Sequence, residues 1–252
     1  MESFETIHLH KGERTRVSEQ ITEEIPLTIE TASGELATLL ASPSDLEDLV
    51  TGFLFTSGVV TDISAIRSVA IDTERFRALV DLENAEEDLP FRRIYTSGCG
   101  KGVIFHNPFD VVGRSPLPDG FSVDGSRLFE LMKTFMKASD EHKHTRGVHS
   151  SALASRDEVL VFREDIGRHN AIDKVIGHAR LKNWSLSDKM VLTTGRISSE
   201  ILSKALRARI PLICASGSPT NQAVKLGRIA NISTVKLSAG GLTVFSGEGR
   251  II

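Results

Sequence analysis

One thiol and several clusters of basic side chains are the reactive and ligand-binding candidates in this sequence. Cys99 lies in Tyr95-Thr96-Ser97-Gly98-Cys99-Gly100-Lys101-Gly102. Glycines around one thiol let the backbone approach closely and can turn successive N–H groups toward an anion. Those dipoles, with Lys101 nearby, favour the thiolate, which is the nucleophilic form. A thiol on such an arm can travel between two reaction partners; the plainer alternative is a free cysteine in a glycine-rich turn. Cys214, the only other cysteine, sits in the apolar run Ile210–Ala215 and reads as core. Two cysteines exclude both a disulfide scaffold and a four-cysteine zinc site.

The densest polar cluster is Arg163-Glu164-Asp165-Ile166-Gly167-Arg168-His169-Asn170-Ala171-Ile172-Asp173-Lys174. It falls where a strand gives way to a helix, the place where α/β sheets bind ligands. Arg163, Arg168, His169 and the helix N-terminus could together hold a phosphate, whereas a surface salt-bridge network is the plainer reading. Two further junctions repeat the pattern: Thr193-Thr194-Gly195-Arg196-Ile197-Ser198-Ser199 and Ser216-Gly217-Ser218-Pro219-Thr220-Asn221. Three such turns on one sheet edge favour a phosphate-rich ligand. His149 starts a strand and could serve Cys99 as a base, or be structural. Neither a zinc-deaminase pattern nor a Walker-type loop is present.

The elements that must position these residues follow from periodicity. Residues 1 to about 20 lack a usable period and suggest a loose arm or an edge strand. Two alternating runs from Ile25 to Leu40 around Ser33-Gly34 predict a hairpin. Ser42-Pro43 then reads as N-cap and first helical position, opening a helix with Leu46, Leu49, Val50, Phe53 and Leu54 on one face, ending near Gly58. Val69–Ile71 and Ala78–Val80 are expected strands, and the acidic stretch up to Pro90 a boundary. Residues 96–120 form a long loop, and Ser126–Ala138 a helix with an apolar stripe of Leu128, Phe129, Leu131, Met132, Phe135 and Met136. A hairpin over Val148–Arg163 is followed by a helix from about Asn170 to Leu181. Strand and helix then alternate: Met190–Thr193, Ser199–Arg209, Ile210–Ala215, Pro219–Ala230, with strands Thr234–Leu237 and Leu242–Phe245 at the end. This order implies parallel crossovers and an α/β sandwich covered on both faces.

Composition bounds the function. The 252 residues carry 30 Lys+Arg against 33 Asp+Glu, a net charge of -3, which argues against a nucleic-acid binder on whole-chain balance. The most apolar stretch, Leu49–Val60, is too short and polar to span a bilayer, and the N-terminus has no signal-peptide character, so a cytoplasmic protein is expected.

The long motif from Arg163 to Lys174 closely resembles the signature of the formate dehydrogenase accessory sulfurtransferases, the FdhD family. The likeness extends through Gly147-Val148-His149, Gly195-Arg196-Ile197-Ser198-Ser199-Glu200 and Ser218-Pro219-Thr220, and upstream through Glu24-Ile25-Pro26-Leu27 and Gly52-Phe53-Leu54. It spans roughly residues 22–246. The resemblance implies a cytidine-deaminase-like three-layer α/β sandwich with a mixed sheet and no metal of its own. Residues 121–252 would form it, beside a smaller N-terminal α+β part (1–92) and a mobile Cys-bearing loop (93–120). It implies a homodimeric sulfur carrier that takes persulfide sulfur from a cysteine desulfurase on Cys99. The sulfur would pass to the molybdenum cofactor, bis-molybdopterin guanine dinucleotide, for the formate dehydrogenase catalytic subunit. The alternative is a chaperone that binds and inserts that cofactor without transferring sulfur. Cofactor contacts would fall on Arg163, Arg168, His169, Gly195, Arg196, Ser198, Ser218 and Thr220. The C-terminal stretch Lys236, Leu237, Ser238, Ala239, Gly240 and Gly241 would add to them. The chain departs from the family in having one loop cysteine rather than Cys-Gly-x-Cys-Gly, Ser57 in place of an acidic residue, and no arginine in its C-terminal stretch.

Overall fold

A computed structural model describes residues 1–83 and 115–252, together with the short paired stretches Ile94–Tyr95 and Val103–Ile104. Cys99, most of the loop expected over 93–120 and most of the acidic stretch before Pro90 lie outside the described residues. Of the two expectations for the N-terminal arm, strand rather than loose segment holds, in the form of a regular hairpin: β1 (Glu2–His10) pairs antiparallel with β2 (Glu13–Ile21) over nine residues each. Lys11 and Gly12 both take positive φ (48° and 87°), the two-residue turn whose twist suits a hairpin. Only Thr6 and Val17, which face each other across it, are partly buried. With no buried face, the sequence carried no apolar alternation to reveal these strands.

The expected second hairpin is β3 (Ile25–Thr31) and β4 (Gly34–Ala41). Helix α1 (Leu46–Ser57) follows, then β5 (Ile66–Asp72) and β6 (Arg77–Leu82), and these strands form a sheet of order β4-β3-β6-β5. Gly58 ends α1 as foreseen, in the left-handed region (φ 85°) with its N–H donating to the Phe55 carbonyl at 3.2 Å. The start of α1 differs from expectation. The residue before the helix is Asp45, not Ser42, and Ser42 is instead spent on a distant contact. Its N–H donates to Asp165 Oδ2 (3.1 Å) and its Oγ accepts from the Ile166 N–H (3.2 Å).

After the short strands β7 (Ile94–Tyr95) and β8 (Val103–Ile104) come α2 (Gly125–Ala138) and α3 (Asp140–Thr145). Asp124 caps α2, and Leu128, Leu131, Met132 and Phe135 of its expected stripe are buried, while Met136 is exposed. Six-residue α3 is too short to show a period and was not foreseen. The rest alternates: β9 (His149–Ala154), β10 (Val159–Asp165), α4 (Arg168–Leu181), β11 (Met190–Thr193), α5 (Ser199–Ala208), β12 (Leu212–Ala215), α6 (Asn221–Ala230), β13 (Ser233–Ser238) and β14 (Gly241–Ser246). Their six-stranded sheet has the order β10-β9-β11-β12-β13-β14. It is mixed: β11, β12 and β13 run parallel and the other neighbours are antiparallel. Alternation sorts the strand side chains onto two faces. Leu153, Val191 and Ile213 join a core with α4, α5 and α6, while Ala152, Leu192, Cys214 and Val235 join another with α2. Two helical layers therefore enclose one mixed sheet.

The first of these cores runs on without a break into α1 and the N-terminal sheet, through Leu49, Val50, Leu27, Ile29 and Val80. The junction is the crossing of α1 on α4. A Cβ on Gly52 would lie 1.9 Å from the Asp173 carbonyl oxygen, and one on Gly177 would lie 1.9 Å from that of Asp48. Two buried ion pairs flank this crossing. Lys174 Nζ lies 2.8 Å from Asp165 Oδ2, both side chains wholly inaccessible, and Lys204 Nζ lies 2.7 Å from Asp173 Oδ2. Each carboxylate is also hydrogen-bonded. Asp165 accepts from the N–H groups of Ser42 and Gly167 and from Asn170 Nδ2, and Asp173 from the Thr56 hydroxyl at 2.6 Å. Burial still pushes the Asp173 carboxyl up, with the Lys204 charge and the Lys204 and Thr56 hydrogen bonds opposing it. Desolvated charges of this kind persist only when paired and hydrogen-bonded.

Gly177→Ala separates the two influences on that helix. Intrinsic propensity alone would stabilise α4 by about 1 kcal/mol. The close crossing instead predicts a loss of about 3 kcal/mol or more in urea unfolding, because the new methyl meets backbone rather than a yielding side chain. A gain in stability would contradict the crossing.

Candidate functional site

β10 and β11 both run antiparallel to β9, and β12 and β13 run with β11, so the carboxyl ends of these four strands reach one edge of the sheet. The amino end of β9, at His149, shares that edge. Three of the strands turn there directly into α4, α5 and α6. Ser198 caps α5, its Oγ accepting from the Ile201 N–H at 3.3 Å, and Thr220 caps α6 by accepting from the Ala223 N–H at 3.3 Å. Gly167 precedes α4 and offers no side-chain cap.

The turns are laced to one another. The Ser216 N–H donates to the Thr193 carbonyl, Ser216 Oγ to the Thr194 carbonyl (both 3.0 Å), and the Thr220 N–H to the Ile197 carbonyl (2.9 Å). Gly217 has no room for a Cβ, which would stand 2.6 Å from the Gly195 carbonyl oxygen, and one on Gly195 would stand 3.1 Å from Arg168 Cβ. The glycines of these motifs thus bring three turns and the first residue of α4 into one surface.

Its charge is positive. His149 Nδ1 lies 3.5 Å from Thr194 Oγ1, and burial, followed by the charges of Arg168, His142, His169 and Arg196, holds the His149 imidazole below its ordinary value. His169 Nε2 lies 3.0 Å from Glu200 Oε2. Burial acts to raise the Glu200 carboxyl, but the His169 hydrogen bond and the charges of His169, Lys204 and Arg168 outweigh it and leave it below the usual range. Arg168 Nε is buried and meets no hydrogen-bond acceptor among the described residues. Such an orphaned cationic donor, beside helix N-termini, suits an incoming anion.

Of the expected binding residues, Arg168, His169, Gly195 and Arg196 meet here, with Ser198 and Thr220 occupied as caps and Ser218 exposed on the third turn. Lys236 stands on β13 beside Ala215, on the sheet face opposite that of Val235. Leu237 packs against the α2-side core, Ser238 Oγ lies 3.3 Å from Thr243 Oγ1, and Ala239 and Gly240 make the turn into β14, which Gly241 opens. Arg163, expected at this site, points away from it. Its Nε donates to Asp48 Oδ2 (2.8 Å) and lies 3.2 Å from Asp45 Oδ1, and its Nη2 lies 2.9 Å from His178 Nδ1. Ten residues of helix, about 15 Å, separate His178 from Arg168. The acidic start of α1 draws Arg163 toward the far end of α4, so it clamps that packing instead of joining the cluster. His142, on unforeseen α3, was missed, and so was the role of Glu200, whose pairing with His169 spans two elements. Cys214 is fully buried, its thiol pushed up to about 12 by burial, which leaves it inert.

The fold and this edge define an α/β protein with a basic, anion-seeking surface at the carboxyl ends of a mixed sheet. The chain belongs to the FdhD/NarQ family, whose model matches residues 22–252. It is 36% identical over 228 residues to the sulfur carrier protein FdhD of Bacillus licheniformis, covering 89% of this chain and 86% of the relative. It is also 33% identical over 245 residues to the protein of that name from Bacillus subtilis, covering 96% and 94%. A crystal structure of a formate dehydrogenase accessory protein from Desulfotalea psychrophila shares the fold with a TM-score of 0.82, over 99% of this chain and 98% of that one, at 24% identity.

Because Arg168 and Arg196 both help to hold His149 down, replacing either by Ala moves its midpoint upward toward about 6.5. An NMR titration of the imidazole reads this, and an unchanged midpoint in both variants would contradict the convergence of these side chains.

Proposed function

We propose that this protein carries sulfur for the maturation of a formate dehydrogenase in the cytoplasm. Sulfur would arrive as a persulfide from a cysteine desulfurase and be held on Cys99. From there it would pass to the molybdenum cofactor, bis-molybdopterin guanine dinucleotide, bound as a client at the three turns. Family membership and the names of its relatives support sulfur carriage. The observation that carries the binding half is the convergence of Arg168, His169, Arg196 and the starts of α4, α5 and α6 on one sheet edge. A diphosphate asks for that arrangement: fixed cations and backbone N–H donors that need no reorganisation on binding. The buried, unpartnered Nε of Arg168 fits the same role.

The sulfur half turns on elimination as well as on the loop. With Cys214 buried and held as a thiol, Cys99 is the remaining sulfur nucleophile of the chain. In the loading step the Cys99 thiolate attacks the outer sulfur of the donor persulfide. The donor S–S bond breaks, a new one forms on Cys99, and the desulfurase leaves as its thiolate, with no net oxidation. In the sequence Cys99 is flanked by Gly98, Gly100 and Lys101, neighbours of the kind that favour a thiolate.

Two measurements test this reading. After incubation with a desulfurase and free cysteine, intact-protein mass spectrometry is expected to show one added sulfur on the wild type, none on Cys99→Ala, and no loss on Cys214→Ala. Sulfur loading that survives Cys99→Ala contradicts the carrier reading, and a Cys99→Ala variant that still supports formate dehydrogenase maturation leaves the protein a cofactor chaperone. Separately, Arg168→Ala and Arg196→Ala are each expected to weaken binding of a guanosine diphosphate sugar about tenfold, the scale of one lost charge-assisted contact.

A further inference from the structure

We propose that His149 is a further anion ligand of this site, and that it takes up a proton from solvent as a diphosphate group binds. The inference rests on the binding half of the proposed function and adds a residue and a proton to it. His149 opens β9 at the sheet edge where the three turns meet, with Nδ1 3.5 Å from Thr194 Oγ1. Thr194 is locked in place, because its Oγ1 accepts from the Ser150 N–H at 3.0 Å and its own N–H donates to the Ser150 carbonyl at 3.0 Å. The imidazole is therefore tied to the turn that presents Arg196.

The titratable and charged groups facing it come from every element packed around it. Helix α3 supplies His142, whose Nδ1 donates to the Val148 carbonyl at 3.0 Å. Helix α4 supplies Arg168 and His169, and the turn after β11 supplies Arg196. Three carboxylates are near, and each is engaged elsewhere. Asp165, opposite His149 across β10, has its oxygens filled by Lys174, Asn170 and the N–H groups of Ser42 and Gly167. Glu164 Oε1 accepts from the hydroxyls of Ser139 and Ser150, and Glu200 pairs with His169. Burial, then the nearby Arg168, His142, His169 and Arg196, hold this half-buried imidazole below its ordinary value in the free protein, which favours its neutral form.

A diphosphate inserted among the same side chains reverses that balance. Two negative charges close to Arg168 and Arg196 cancel the repulsion, and the imidazolium becomes a ligand in its own right. By linkage, the ligand then binds more tightly as pH falls, through the window just below about 6.5 in which the free imidazole is neutral and the bound one charged. Free and bound states thus differ by a proton at a residue that no cap or core contact requires.

Titration calorimetry on the full chain tests this with GDP-mannose, whose diphosphate is esterified at both ends and carries no titrating proton near about pH 6. Injections in two buffers of different ionisation enthalpy at the same pH count the protons taken up. Wild type is expected to take up between about half a proton and one proton per ligand, and His149→Gln to lose at least about half of that uptake while still binding. Binding with equal uptake in both proteins, or with none in wild type, overturns the assignment and leaves the anion site standing. Absence of any binding overturns the site and the assignment together. Should the variant fold poorly, NMR titration of His149 in wild type decides the matter: its midpoint rises on adding GDP-mannose, and a midpoint that stays or falls overturns the proposal.

Discussion

Helices α1 and α4 cross backbone to backbone at Gly52 and Gly177, and this contact joins the two sheets. Neither glycine is needed for a turn; each is needed because a carbonyl of the other helix occupies the space a side chain would fill. That approach brings the N-terminal sheet within reach of the six-stranded sheet's helical layer and lets one apolar core serve both. It also sets the depth of α4, and hence how far its first turn stands proud of the sheet edge. The buried Asp165–Lys174 and Asp173–Lys204 pairs fix this depth more than they add stability, since pairing and hydrogen bonding mainly offset the cost of burying the charges.

From that constraint the long polar motif divides into two jobs. Residues on the inner side of α4 and the end of β10, Asp165, Asn170, Asp173 and Lys174, bind the protein to itself. Arg168 and His169, on the opening turn of the same helix, are left to face the neighbouring turns, with Glu200 3.0 Å from the histidine. The charge density that suggests a ligand site is thus mostly structural, and the ligand-facing part is small. Glycines at 195 and 217 then decide how tightly the second and third turns close on the first.

Much of this was legible in the sequence, for physical reasons that also explain the gaps. The helices of the second half bury one face, so their periodicity showed, and β11 and β12, wholly buried, showed as short apolar runs, whereas the capping roles of Ser198 and Thr220 came only with the structure. The first hairpin buries almost nothing and left no pattern. Ser42-Pro43 looks like a helix start because Ser and Pro favour that position, yet Ser42 answers to Asp165 from more than a hundred residues away, which no local rule can see. Arg163 is the same kind of case. A charged residue at a strand end advertises a charge but not its partner, and Asp45 and Asp48 decided its direction through tertiary packing. His142 and Glu200 entered the cluster only because α3 and α5 carry them there.

On the proposed function, three turns brought to one edge by the α1–α4 packing would hold a single diphosphate-bearing ligand. Hydrogen–deuterium exchange of the full chain with and without GDP-mannose tests it most directly, since bound phosphate oxygens shield the backbone N–H groups that they accept from. New protection is expected only at the three junctions, at residues 166–170, 194–200 and 216–222. Protection concentrated elsewhere, such as the opposite end of the sheet around Leu117, Arg156 and Arg209, would contradict it.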